Sequence, residues 1–196
     1  MKEKNEAIPK QSFTKIGMSE VELLIEENLK VVSDFPKPGI EFFDMSSLFC
    51  NVEVSTAISK VIKREAEYTA LNNNYEVDAI VGIDARGFVV GAQLAKEMNL
   101  PLLLVRKAGK LPPPVFSTSY DLEYGSAVLE IAEKPDSTIQ NVVIIDDVYA
   151  TGGSMRAAAQ LCEKAGYYVV DRFAVLGVKE LYNEEDSENV KIISIR

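Results

Sequence analysis

Apolar positions along the chain change period several times, and the changes divide it into elements. Val21, Leu24, Ile25, Leu29 and Val32 recur at helical intervals behind Ser19 and Glu22, which have capping-box spacing. They predict an amphipathic helix that ends before the turn Asp34-Phe35-Pro36-Lys37-Pro38-Gly39. Val54, Ile58, Val61, Ile62 and Tyr68 predict a second helix, closed by Asn72-Asn73-Asn74. Beyond it the pattern alternates. Short runs without polar interruption, at Ala79 to Ile83, Leu102 to Val105 and Val142 to Ile145, are separated by helical patterns at Phe88 to Met98 and Ser154 to Ala165. Tyr168 to Leu176 and Ile192 to Ile195 are further strand candidates.

Strands that are apolar on both faces and separated by helices predict an α/β fold with a parallel sheet covered on both sides. Ligands of such sheets bind beyond the carboxyl ends of the strands. Asp84, Arg106 and Asp146 stand just past three such ends.

Composition narrows the chemistry. The 196 residues, 47% hydrophobic and 26% charged, suit one globular domain with an appended hood or tail. The net charge of -9 leaves no cation excess to displace counterions, so neither nucleic acid nor an anionic membrane is an expected partner. There is no histidine, which removes Ser-His-Asp and Cys-His catalysis and the common histidine-containing zinc sites. Acid-base work must fall to carboxylates, Lys, Tyr or Cys. Two cysteines, Cys50 and Cys162, lie among apolar neighbours and read as reduced, buried thiols. No apolar run is long enough to span a bilayer, and the polar start has no secretory core. A cytoplasmic protein is expected.

The informative stretch runs from Val142 to Ser154. A buried strand is followed by Asp146-Asp147, then Ala150-Thr151-Gly152-Gly153-Ser154 at the start of a helix. Free amides at a helix start, with the helix dipole behind them, make an anion cradle. Gly152 and Gly153 let the backbone approach a phosphate, while Thr151 and Ser154 add hydroxyl donors. The acids would repel phosphate, so they must face sugar hydroxyls or a divalent cation. Phosphorylated ribose satisfies both halves.

This string resembles the 5-phosphoribosyl-1-pyrophosphate (PRPP) signature of the type I phosphoribosyltransferases. Four further segments, in order, resemble motifs of the adenine phosphoribosyltransferase family. They are Asp34 to Ile40, Gly82-Ile83-Asp84-Ala85-Arg86-Gly87-Phe88, Val105 to Pro112, and Leu122-Glu123-Tyr124-Gly125. The resemblance implies a type I parallel sheet flanked by helices, with a small hood and a flexible lid loop. It divides the chain into a flexible tail at 1–18 and one phosphoribosyltransferase domain at 19–196 that includes the hood.

The implied reaction is adenine plus PRPP giving AMP and pyrophosphate, with Mg2+ held mainly through PRPP and no direct protein ligand. By the same resemblance, Ala150 to Ser154 wrap the 5-phosphate and Asp146 and Asp147 face the ribose. Ala85 and Arg86 form the pyrophosphate turn, with Arg106, Lys107 and Lys110 on the pyrophosphate side. Leu111 to Glu123, poor in helix or strand signal, corresponds to the lid. Glu123 at its end corresponds to the catalytic glutamate, with Tyr124 beside it. Phe42 falls where the family stacks a ring on adenine, although a core Phe would read the same. Family habit implies a homodimer.

Ala150 occupies a position where enzymes for 6-oxopurines carry an aspartate, which favours adenine. Two departures bear on the base. Phe43 stands where the family often has Arg, and Glu41 where it is usually aliphatic. The lid's Pro112-Pro113-Pro114 also departs from the usual continuation. The alternatives are a PRPP-dependent transferase for another purine base and a non-catalytic PRPP-sensing regulator.

Overall fold

The computed structural model describes residues 18–121, 126–134, 136–181 and 190–196. The chain opens with helix α1 (Met18–Asn28), followed by strands β1 (Lys30–Ser33) and β2 (Glu41–Asp44) and a short helix α2 (Ser46–Phe49). Of the segment expected as a tail, only Met18 is described, and it belongs to α1. Ser19 therefore lies within α1. This helix also stops well before Val32. Asn28 turns its amide back onto the Leu24 carbonyl, and the β-branched pair Val31-Val32 joins an antiparallel ribbon with Phe43 and Phe42.

The long helix α3 (Val52–Asn73) starts where the Asn51 side chain accepts hydrogen bonds from the Glu53 and Val54 amides. It ends at Asn74, a left-handed C-cap within the predicted asparagine stretch. Strand β3 (Ala79–Ile83), helix α4 (Gly87–Met98) and strand β4 (Leu102–Lys107) follow as the pattern predicted. Next come strands β5 (Val115–Asp121), β6 (Ser126–Ala132) and β7 (Asn141–Tyr149). Helix α5 (Gly153–Lys164) and strands β8 (Tyr168–Gly177) and β9 (Lys191–Ile195) complete the chain.

The larger sheet has the order β5-β6-β4-β3-β7-β8-β9. Strands β4, β3, β7, β8 and β9 are mutually parallel, while β6 and β5 run antiparallel at one edge. Along β3 and β7 alternate residues feed two cores. Ile80, Val143 and Ile145 pack with the face that carries α1, α3 and α4, whereas Val81, Val142 and Ile144 pack with α5. Burying one such side chain stabilises by roughly 1.5–3 kcal/mol, which is why β3 and the Val142 to Ile145 stretch of β7 contain no polar position. No helix among the described residues is long and apolar enough to cross a membrane.

The segment Leu111 to Glu123, expected as an irregular loop, contains strand β5. Phe116, Thr118 and Tyr120 alternate inward with exposed Ser117 and Ser119, and the whole strand pairs with β6 from Val115↔Ala132 to Asp121↔Ser126. Among the described residues of this segment, the irregular backbone is that before Val115, where the three prolines lie.

Candidate active site

Chain order and sheet order diverge at the centre. From β3 the chain crosses through α4 to β4 on one side, and β7 later pairs with the other side of β3. The crevice beyond the carboxyl ends of β3 and β7 is thus a topological switch point, where open α/β sheets bind ligands. The β3 end supplies the Asp84-Ala85-Arg86 turn, whose Asp84–Ala85 peptide is cis. Beyond the β7 acids lies the glycine turn.

Gly152 adopts φ +75°, and a Cβ there would fall 2.5 Å from Tyr149 Oη and 2.8 Å from Arg156 Nη1. Glycine is therefore required by both conformation and space. It leads directly into α5, whose first-turn amides lack intrahelical acceptors. Arg156 braces the turn by donating to the Thr151 carbonyl at 3.1 Å. Ala150 and Ser154 are partly buried, Gly153 is buried and Thr151 is exposed.

The two acids are nearly inaccessible, Asp146 at 8% and Asp147 at 4% exposure. Asp146 Oδ1 accepts from the Asp147 amide at 2.9 Å, and Asp146 Oδ2 from Ser154 Oγ at 3.3 Å. The acid pair and the glycine turn are thus joined by a hydrogen bond. Burial pushes the Asp146 carboxyl well above the usual range, and the neighbouring Asp147 charge pushes the same way. Asp147 is also raised by burial, against the opposing pull of Arg86. Gly87 is a further fitted position, since a Cβ there would lie 2.8 Å from Asp146 Oδ1.

Arg86 Nε stands 2.7 Å from Asp147 Oδ2. The contact is an ion pair with poor hydrogen-bond alignment, so Oδ2 is left without a hydrogen bond. The same guanidinium lies over the Phe42 ring, 5.8 Å from its centre. Phe42 in turn meets Phe35 edge to face at 5.1 Å. Phe35 is carried on the Asp34 to Ile40 turn, which closes through Gly39 N donating to Asp34 Oδ1 at 2.7 Å. Phe43, next in the strand, packs against the α1/α3/α4 core. Strand alternation therefore turns the departure at Phe43 away from Phe42, while Glu41 is exposed.

Among the other expected cations, Arg106 is committed to Asp84, with Nε donating to Oδ2 at 3.3 Å, and its Nη1 donates to the Lys110 carbonyl at 3.2 Å. It also lies over the Phe88 ring at 5.8 Å. Lys107 is exposed at the end of β4 and Lys110 on the turn after it. Glu123 and Tyr124 lie outside the described residues. The structure thus brings together Phe42, Arg86, Asp146, Asp147 and the turn through Ser154, and sets Arg106, Lys107 and Lys110 on the β4 side.

Sequence reasoning missed three contributors. Phe35 buttresses Phe42, and its only signal was membership of the turn motif. Gly87 clears room for Asp146. Tyr120 on β5 is raised above the usual tyrosine range by burial and by the charges of Asp146 and Asp84, which places its side chain within reach of their field. Its inward alternation with Phe116 and Thr118 was the available clue.

Residues 51–196 match the phosphoribosyl transferase domain. An adenine phosphoribosyltransferase of Mycobacterium sp. (strain KMS) is 40% identical over 179 residues, covering 91% of this chain and 98% of its own. The chain belongs to the adenine phosphoribosyltransferase family. Another member, from Mycobacterium avium (strain 104), is 46% identical over 144 residues, 73% of this chain and 76% of its own. In three dimensions, the Saccharomyces cerevisiae adenine phosphoribosyltransferase complexed with an imino-altritol bisphosphate and adenine superposes with a TM-score of 0.79. Its identity is 31%, and the match covers 89% of this chain and 97% of that one. The Trypanosoma brucei adenine phosphoribosyltransferase in complex with AMP, pyrophosphate and ribose-5-phosphate gives a TM-score of 0.76 at 26% identity, covering 89% and 79%. As an adenine phosphoribosyltransferase family member, the chain keeps the central sheet with its parallel majority and flanking helices.

Proposed function

We infer that this protein transfers the 5-phosphoribosyl group of PRPP to adenine, giving AMP and pyrophosphate in purine salvage. The observation that carries the reading is the chain of contacts from Phe42 through Arg86 to Asp147, ending beside the glycine turn. It lines up an aromatic shelf, a cation, a sugar-facing carboxylate and a phosphate cradle in the order base, pyrophosphate, ribose and 5-phosphate.

In the proposed mechanism the amides of Thr151 to Ser154 hold the 5-phosphate, and Asp146 and Asp147 accept hydrogen bonds from the ribose hydroxyls. The Asp147 oxygen that lacks a hydrogen bond is suited to this. As a purine ring nitrogen forms its bond to C1 of the ribose, the C1–O bond to pyrophosphate breaks. Positive charge develops on the sugar ring and negative charge on the leaving group. Arg86, Lys107 and Lys110 stabilise the latter. Glu123 takes the proton from the attacking nitrogen and returns it in the reverse direction. Phe42 orients the base by stacking, with Tyr124 nearby. The segment around Glu123 excludes the water that would otherwise hydrolyse the activated sugar.

Mg2+ would be held mainly through PRPP oxygens, with the hard carboxylate oxygens of Asp146 and Asp147 suited to lie beside it rather than to bind it directly. This agrees with the described residues, among which no group of three or more His, Cys, Asp or Glu is placed to hold a metal ion. Bound there, Mg2+ would neutralise the pyrophosphate charge. Both thiols are free, Cys162 buried as expected and Cys50 exposed against expectation, which fits a cytoplasmic protein, and the family resemblance supports a homodimer.

The test is to mix the protein with adenine, PRPP and Mg2+ and detect products by mass spectrometry. AMP and pyrophosphate in equal amounts are expected. Preferential turnover of hypoxanthine or guanine would overturn the assignment of the base.

A further inference from the structure

The proposed mechanism places Arg86 on the pyrophosphate, yet here it is engaged twice elsewhere. Its Nε lies 2.7 Å from Asp147 Oδ2, and its guanidinium carbon lies 5.8 Å from the centre of the Phe42 ring. One side chain therefore touches both the residue assigned to the sugar and the residue assigned to the base. The Asp147 side chain is 5% exposed and that of Arg86 is 44% exposed. The carboxylate is enclosed, whereas the cation lies within reach of solvent. Phe35 holds the Phe42 ring from a second direction, with the two planes inclined at 76°.

We propose that Arg86 couples the two halves of the site. It rests on the Phe42 ring until pyrophosphate draws it away, so that adenine binding is linked to occupancy of the pyrophosphate subsite. This rests on the placement of adenine against Phe42. An aromatic face occupied by a guanidinium is not open to a purine, because both need the same surface within about 6 Å of the ring centre. Asp147 offers Arg86 one charge with poor hydrogen-bond alignment, whereas pyrophosphate offers several charges and bidentate oxygens. The guanidinium therefore favours pyrophosphate when it is present. Its departure opens the Phe42 face and frees Asp147 Oδ2 for a ribose hydroxyl. Linkage makes the effect reciprocal, since whatever factor pyrophosphate adds to adenine affinity, adenine adds to pyrophosphate affinity.

Isothermal titration of adenine, with and without saturating inorganic pyrophosphate and Mg2+, tests this. For the unaltered protein, adenine affinity is expected to rise about tenfold with pyrophosphate, and pyrophosphate affinity by the same factor with adenine. Arg86→Gln is expected to bind adenine alone at least as tightly as the unaltered protein, with the coupling gone. Arg86→Lys, which keeps the charge over buried Asp147 but not the planar face, is expected to fold and to show reduced coupling. Equal adenine affinity with and without pyrophosphate in the unaltered protein, or full coupling in either folded variant, would overturn the proposal. Phe42→Leu separates the two levels. Unchanged adenine affinity in that variant would remove adenine from Phe42 and defeat both readings. Weakened affinity there, with coupling intact in the Arg86 variants, would defeat the coupling alone.

Discussion

Asp146 and Asp147 are adjacent carboxyls in a nearly dry position, and the protein bears them without a ligand only at a cost to its stability. Burial, then the neighbouring Asp147 charge, raises the Asp146 carboxyl in the folded chain. A carboxyl raised on folding binds protons that the unfolded chain has released, so its linkage term makes stability fall as pH rises through the folded value. Asp146→Asn is therefore expected to raise the melting temperature of the unliganded protein at neutral pH and to flatten its decline between acid and neutral pH. The same variant should bind PRPP more weakly. A melting temperature lowered at neutral pH would contradict this account of the pair. The acids and the glycine turn were legible in the sequence because they are contiguous there. The Phe42–Arg86–Asp147 contact was not, because its members come from β2, the turn after β3 and β7, which are far apart in sequence and belong to two different sheets. Phe42 alone could equally have been a core residue. Its neighbour Phe43 is the one that packs on the core.

At the scale of elements, the buried strands and their helices declared themselves because each is apolar on the faces it buries. The miss at Val31-Val32 has a different origin. Two valines fit a helical period as well as a ribbon, and the pairing with β2 decides between them. Strand β5 was missed because Thr118 stands on its inward face between Phe116 and Tyr120, which weakens a two-residue period. Its pairing with β6 matters for function, since β5 leads directly toward Glu123. It is seated on α5, where Thr118 Oγ1 and Gln160 Oε1 are 3.4 Å apart and Lys164 Nζ donates to the Ser117 carbonyl at 3.4 Å. The arm thus rests on the helix whose first turn forms the proposed phosphate cradle. If Glu123 is the general base, Glu123→Gln should lower kcat about 100-fold or more while PRPP affinity changes little. Steady-state kinetics with adenine as the varied substrate would check this, and near-normal kcat would remove Glu123 from the role.

For the molecule as a whole, the acidic balance and the local cations describe one division of labour. A net charge of -9 discourages nonspecific anion binding, while Arg86, Arg106, Lys107 and Lys110 sit along the β3 and β4 ends. The architecture gathers the glycine turn, the acid pair and Phe42 around a single switch point between β3 and β7. The most direct test of that arrangement is a crystal structure of the protein soaked with AMP. The account predicts the phosphate within hydrogen-bonding distance of the amides between Thr151 and Ser154, ribose hydroxyls on Asp146 and Asp147, and adenine stacked on Phe42. A phosphate bound away from the α5 N-terminus, with that turn unchanged, would contradict it.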